Sequence, residues 1–276
     1  MTGGRIAGSA SVLPACLGIV FGILFGAFTA AASCLPIARA PDVRARLIPA
    51  AATDLMPGQV ELTFLGHASF LFRSPEGATA VTDYNGVHRP PLVPDIVTMN
   101  NAHHTHFTDM IDPGVKHVLR GWADAAGQGP GPARHDVTYR DIRVWNIPTN
   151  VRDWGDNARI GGNSIFVFEV SGLCIAHLGH LHHRLTDEHL AYMGIIDVLL
   201  VPVDGGYTLA QPLMMEVIRQ IRPSVVIPMH YFGMGTLERF LTMLSEDFEV
   251  EARASPEIVL SRATLPHRRA IVLPGD

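Results

Sequence analysis

Residues 94–109, PDIVTMNNAHHTHFTD, hold the pattern from which the rest of the chain is understood. An apolar segment runs straight into His103, His104, His106 and Asp109. The apolar part, 95–99, has the length and residue types of a short buried strand. The polar part then falls at a strand end, where ligand-binding loops collect. The same pattern recurs downstream. His177, His180, His182 and His183 follow the apolar run 173–176, Asp204 follows 198–203, and His230 follows 225–229. With His67, in LGHAS after the first strand, nine of the fourteen histidines fall in such places. A lone strand-end histidine is usually a satisfied polar residue, and His88, His117, His135, His189 and His267 are read that way. Separate clusters behind separate strands point to a metal. Imidazoles suit zinc, iron, copper or nickel, and the absence of cysteine ligands argues against a finger-type zinc.

On either side of this stretch, 60–72 and 78–83 predict a hairpin across SPEG. Further strands are expected at 116–119, 142–147, 164–170 and 173–178, the last two joined over Ser171-Gly172. The rhythm then changes. Helices at 186–193, 209–220 and 236–244 alternate with strands at 198–203, 225–229, 248–252 and 270–273. Thr186, followed by Asp187 and Glu188, supplies a helix start. Hairpins followed by strand–helix alternation predict two packed sheets covered by helices, an α/β fold. GQGPG, 127–131, reads as a loop.

The first forty residues stand apart. No charge occurs between Arg5 and Arg39, and 17–32 is apolar apart from Thr29. This is the pattern of a secretory signal or a membrane anchor. Ala38-Arg39-Ala40 offers a cleavage site. Ala31-Ala32-Ser33-Cys34 is a loose lipoprotein box that would lipidate Cys34. The expected organisation is 1–40 leader or anchor, 41–58 tether and 59–276 folded domain. Export to the bacterial periplasm, or anchoring at the membrane facing it, is expected in turn, with membrane contact through the N-terminal segment alone. Without the leader the formal net charge moves from −5 to −7, since Arg5 and Arg39 are its only charges. An acidic domain argues against nucleic acid as a partner. Cys16 and Cys34 lie in the leader, so Cys174 reads as a lone core cysteine and no internal disulfide is expected.

The body, 59–232, resembles the metallo-β-lactamase superfamily, in the branch similar to ascorbate-6-phosphate lactonases and related LGHA-containing hydrolases. The marks are LTFLGHASFLF (62–72), TDYNG (82–86), PDIVTMNNAHHTH (94–106), IAHLGHLHHRLT (175–186), DVLLVPVDGGYTL (197–209) and PSVVIPMHYF (223–232). The resemblance implies an αββα sandwich, two mixed sheets flanked by helices, with a metal site at the sheet edge. It also exposes departures. The family's His-x-His-x-Asp-His motif falls on 101–106, which puts Asn101 and Thr105 where a histidine and an aspartate belong and keeps His103 and His106. Asn150 stands for another histidine. His180 stands for the bridging aspartate of a His-x-Gly-Asp block, and His230 is kept. A register with one gap would bring in His104 and Asp109 instead.

Losing the bridging carboxylate disfavours a tight pair of cations. The resemblance therefore implies one divalent metal, with two as the alternative, on His103, His106, His180 and His230. Zinc is expected first; iron, nickel and copper remain open. His183 is expected in proton transfer and His67 near the reacting centre. His104, Asp109, His177, His182, Asn150, Asp204 and Asp83 are candidates for extra ligands or for orienting the imidazoles. Asp109 reads more readily as a helix cap. The implied function is hydrolysis of a small-molecule ester, lactone or phosphoester by a metal-bound hydroxide. The alternatives are a non-catalytic metal- or ligand-binding derivative and an iron oxidoreductase at the same histidines.

Overall fold

A computed structural model describes residues 1–4, 34–35, 54–125, 130–152 and 157–275. The leader's apolar run, most of the tether and most of GQGPG lie outside these residues. The chain divides into two compact units, 1–31 and 32–276. The second unit contains β1 Gln59–Gly66, β2 Ser69–Arg73, β3 Thr79–Val81, β4 Ile96–Met99, β5 His117–Arg120, β6 Asp136–Tyr139, β7 Ile142–Arg152, β8 Ala158–Val170, β9 Leu173–His177, α1 Asp187–Met193, β10 Val198–Pro202, α2 Gln211–Ile221, β11 Val225–Met229, α3 Met234–Leu244, β12 Glu249–Ala252, β13 Glu257–Ser261 and β14 Arg269–Val272.

Two mixed sheets result, as expected. One runs β13-β1-β2-β3-β4-β5 and the other β12-β14-β11-β10-β9-β8-β7-β6. β1 alternates half-buried and buried residues along its length, the pattern of a strand with one face on the core. β10 and β11 pair in parallel and are buried at every position. That is why VLLVP and VVIPM read as unbroken apolar runs. Between the sheets Phe64, Phe70 and Phe72 meet Phe166, Phe168 and Leu200, and the Phe72 and Phe168 rings stack at 4.5 Å.

On the outer face of the larger sheet, Leu199, Val201 and Val226 pack with Met214, Val217, Leu237 and Phe240, which come from α2 and α3. The outer face of the smaller sheet differs from a strict αββα plan. Among the described residues its apolar positions, such as Val81, Val97 and Met99, are covered by loop side chains including Phe107, Ile111 and Trp122 rather than by a helix. No helix among the described residues is long and apolar enough to cross a membrane.

The expected start of α1 is present: Thr186 Oγ1 accepts the His189 N–H, and the His189 ring closes a capping box. Asp109 caps nothing. No helix follows it, and its carboxylate is exposed and bonded to Arg120 at 3.3 Å. The expected strand 60–72 is broken at His67-Ala68 into β1 and β2, because His67 takes a left-handed backbone, φ +52°.

One expectation is overturned. Cys34 and Cys174 are joined by a disulfide that closes 140 residues. Both are fully buried. The Cys34 carbonyl accepts the Ile195 N–H at 3.0 Å, and Leu35 packs on the core. A Cβ at Gly194 would meet the Cys34 carbonyl oxygen and carbon at 2.2 and 3.0 Å, so only glycine admits this close approach. Cys34 thus packs within the second unit. Its sulfur, committed to Cys174, is not free for a lipid.

Candidate metal centre

The strand ends deliver the histidines to one place. β3 leads to Asp83, β4 to His106, β9 to His180, β10 to Asp204 and β11 to His230, while the β1–β2 turn supplies His67. His230 N–H donates to the His67 carbonyl at 2.7 Å, which ties the two sheets together at the site. His67, Asp83 and His230 all hold left-handed backbone, φ +52°, +43° and +55°. Such strain in non-glycine residues gathers where a fold fixes functional side chains.

His106 is central. Its Nδ1 lies 2.7 Å from Asp83 Oδ2 and its Nε2 lies 3.0 Å from His180 Nδ1 and 3.2 Å from His230 Nε2. His230 Nδ1 in turn lies 3.0 Å from Asp204 Oδ2. A carboxylate accepts, so both Nδ1 atoms carry protons and both Nε2 atoms are bare. Only one proton, from His180, could lie against His106 Nε2. The Nε2 of His230 then faces another lone pair with nothing between. His67 Nε2 is buried with no hydrogen-bond partner, and it lies within 4.8 Å of the donor atoms of His106 and His230. A cation enclosed by His67, His106 and His230 would satisfy these buried nitrogens, with His180 Nδ1 beside it on His106. Imidazole nitrogens at 2.0–2.1 Å from a tetrahedral zinc stand about 3.3 Å apart, close to the observed 3.0 and 3.2 Å. The residues therefore fit a metal.

The surroundings favour the neutral form of His106, His180 and His67. Burial, reinforced by His230 and His103, keeps His106 well below its ordinary pKa. Burial, then His106 and His230, do the same to His180. His67 is lowered to about 3, first by burial and then by its histidine neighbours. Asp83 is pushed up to about 6 by burial, against the favourable effects of His177 and the Asn100 N–H. Burial alone would raise Asp204. The bonds from His230 and Thr208 outweigh it and hold the carboxylate below its usual range.

Among the other candidates, His103 is exposed at the mouth. Its Nδ1 bonds the Thr105 hydroxyl at 2.9 Å, and its ring lies 6.0 Å from that of His106. His104 faces solvent against His103. Asn150 turns its carbonyl to Gly161 N–H at 3.0 Å. His177 is a structural bridge: its Nε2 donates to the Ala68 carbonyl at 2.7 Å, and its Nδ1 accepts from Gly179 N–H and Asn100 Nδ2. His183 has its ring nitrogens on the Asn150 N–H and the Arg184 carbonyl. His182 lines the cleft, 4.9 Å ring to ring from His180, and its Nε2 is buried without a partner. The structure thus gathers His67, His106, His180 and His230 and leaves His103 and His183 outside the converging nitrogens. Above them opens a cleft of about 920 Å³.

The profile of the β-lactamase superfamily domain matches residues 61–230, which include all four of these histidines. The chain belongs to the metallo-β-lactamase superfamily. A UPF0173 protein of Pyrococcus abyssi is 35% identical over 195 residues, 66% of this chain and 89% of that one. A UPF0173 metal-dependent hydrolase of Pelotomaculum thermopropionicum is 24% identical over 222 residues, 72% of this chain and 95% of its own length. A superfamily crystal structure from Thermotoga maritima superposes with a TM-score of 0.57 at 28% identity, covering 79% of this chain and 100% of that one. These relatives carry the UPF0173 and superfamily names rather than that of the lactonase branch.

Asp83→Ala removes the acceptor that fixes His106 and should weaken metal affinity about 10–100-fold, read by competition with a chelating dye; unchanged affinity would contradict the orienting role. Acid should destabilise the metal-free protein. The unfolded histidines take protons near 6.5, whereas His182 refuses them until about 4 and His67 until about 3. Stability is complete above pH 6.5 and is lost as pH falls toward 4 and 3. Asp83, raised to about 6, works in the opposite direction between 6 and 3.8, but it is one group against several. Melting at pH 4.5 should therefore come below melting at pH 7.5.

Proposed function

We propose that this chain is an exported metal-dependent hydrolase of a small-molecule ester, lactone or phosphoester, with one divalent metal on His106, His180 and His230. The observation that supports it is the convergence of bare imidazole nitrogens, 3.0 and 3.2 Å apart, behind two orienting carboxylates. The relatives named as metal-dependent hydrolases agree with it. Zinc comes first; iron, nickel and copper suit the same donors. A metal held there supplies a Lewis acid that polarises water and the substrate's carbonyl or phosphoryl oxygen.

The chain's own residues do the rest. Asp83 and Asp204 keep His106 and His230 in the tautomer that presents Nε2. His67 Nε2, unpaired and facing the same point, is placed to take a proton from attacking water. His182 Nε2, on the cleft wall, is placed to return one to the leaving group, a role that His183 cannot fill with both ring nitrogens engaged. The Cys34–Cys174 bond supports export, because disulfides persist in oxidising compartments. In this reading any processing cut falls before Cys34, or the N-terminal segment stays as an anchor.

A second reading has its own support. If His67 closes the site as a fourth ligand, no position remains for water and the chain is a metal-binding derivative. The experiment is a panel of carboxylic and phosphoric esters and lactones, run on metal-loaded wild type and His67→Ala. The hydrolase reading expects turnover by wild type, with the metal retained and turnover lost in the variant. No turnover in wild type, together with metal loss in the variant, would establish the binder.

A further inference from the structure

We infer that the substrate is an anion: an ester bearing an oxyanion group held by Arg152 and Arg159, with its apolar part against Tyr207 and Phe232. Its ester character rests on the hydrolase reading; its charge does not. Arg152 and Arg159 line the cleft with His180 and His182, and among the described residues no carboxylate lines it.

The two arginines sit one register step apart at the end of the β7–β8 ribbon, where Val151 pairs with Arg159 and Arg152 with Ala158, so they leave it from opposite faces at the cleft edge. Both are exposed, and neither has an ion-pair partner among the described residues. Other arginines are paired, as Arg143 is with Asp136 and Arg184 with Glu216, while Arg89, Arg140 and Arg222 share the lack of an ion pair among the described residues but do not line the cleft. Gly162 lets one of the pair lie flat: a Cβ there would stand 3.2 Å from Arg159 Nε. The planar forks of guanidinium groups suit phosphate and carboxylate oxygens, so each arginine offers such an oxygen a partner at the cleft wall.

Another part of the cleft wall is aromatic. Tyr207 and Phe232 meet edge to face at 5.5 Å and are 60% and 64% exposed. Phe232 also lies 5.4 Å from the His230 ring, so this wall reaches the metal nitrogens. A ligand lying between the walls would put its scissile group over the histidines, its charge on the arginines and its apolar body on the aromatic pair. A cleft of about 920 Å³ has room for such a molecule.

The test is titration calorimetry on metal-loaded full-length protein with phenylphosphonate and phenylacetate, which cannot be hydrolysed, and with neutral benzyl alcohol. Both anions should bind wild type more tightly than benzyl alcohol, with affinity falling as salt rises. In Arg152→Gln/Arg159→Gln, anion affinity should fall about tenfold or more and lose its salt dependence. Arg152→Lys/Arg159→Lys should fall between, and metal content should not change in either. Anion affinity within twofold of wild type in the glutamine variant would overturn the proposal. The same result would follow if Asp153 and Asp156, which lie between the arginines in sequence, already neutralise them. Arginine-dependent anion binding without turnover on any ester would remove the hydrolase reading and leave this one standing.

Discussion

His106→Ala is expected to lose its metal and, with it, about a thousandfold or more of any hydrolytic rate. His106 is the residue whose Nε2 meets both His180 and His230. Without it the remaining nitrogens no longer enclose one point. The rate loss corresponds to the several kcal/mol that a Lewis acid contributes to the transition state. The fold should survive. Burial already pushes Asp83 up to about 6, so once orphaned it can protonate rather than remain a bare buried charge. Circular dichroism should match wild type while metal content and rate collapse. His104→Ala, facing solvent beside His103, is the control and should change neither. Retained metal in His106→Ala would contradict the site as drawn.

Reduction of Cys34–Cys174 should produce the largest loss of stability. A cross-link that closes 140 residues restricts the unfolded chain, and for loops of that length the expected contribution is about 3–5 kcal/mol. For a domain of this size that corresponds to a melting temperature lower by about 10 °C. Cys34→Ser should reproduce the effect of reductant, and reductant should then do nothing further to the variant. Wild-type melting curves that coincide with and without dithiothreitol would show that the bond contributes nothing. Because both sulfurs are buried, the comparison needs reduction during unfolding and refolding rather than brief exposure of the native protein.

Much of the fold was legible because it is written in residue type. The apolar runs of β4, β9, β10 and β11 end at the polar residues that build the site, and the two sheets follow from hairpins giving way to strand–helix alternation. β6 and β13 were missed. Each is short, at four and five residues, and half-exposed, so neither offers the apolar run that marked the others. The histidines were legible as a group but not in their directions. His103 and His106 differ by one turn, closed by the His106 N–H on the His103 carbonyl at 2.7 Å, and that turn sends one ring outward and the other inward. Spacing alone does not encode this. His67 could be placed near the centre from the LGHA block, but its aim at His106 and His230 depends on a left-handed backbone in a non-glycine residue, which sequence does not announce. The disulfide was hidden for a different reason. The charge-free run before Cys34 carries a strong leader pattern, and grouping Cys34 with it left Cys174 without a partner.

The proposed single metal on converging imidazoles is tested most directly by metal content, measured by mass spectrometry on gently purified full-length protein. About one zinc, iron, nickel or copper per chain is the expected result. Among the residues that enclose the site no carboxylate is free to bridge a second ion, since His180 stands at that position and Asp83 and Asp204 are engaged with His106 and His230. Two metals per chain, or none even after reloading with zinc, would contradict a single metal on these histidines.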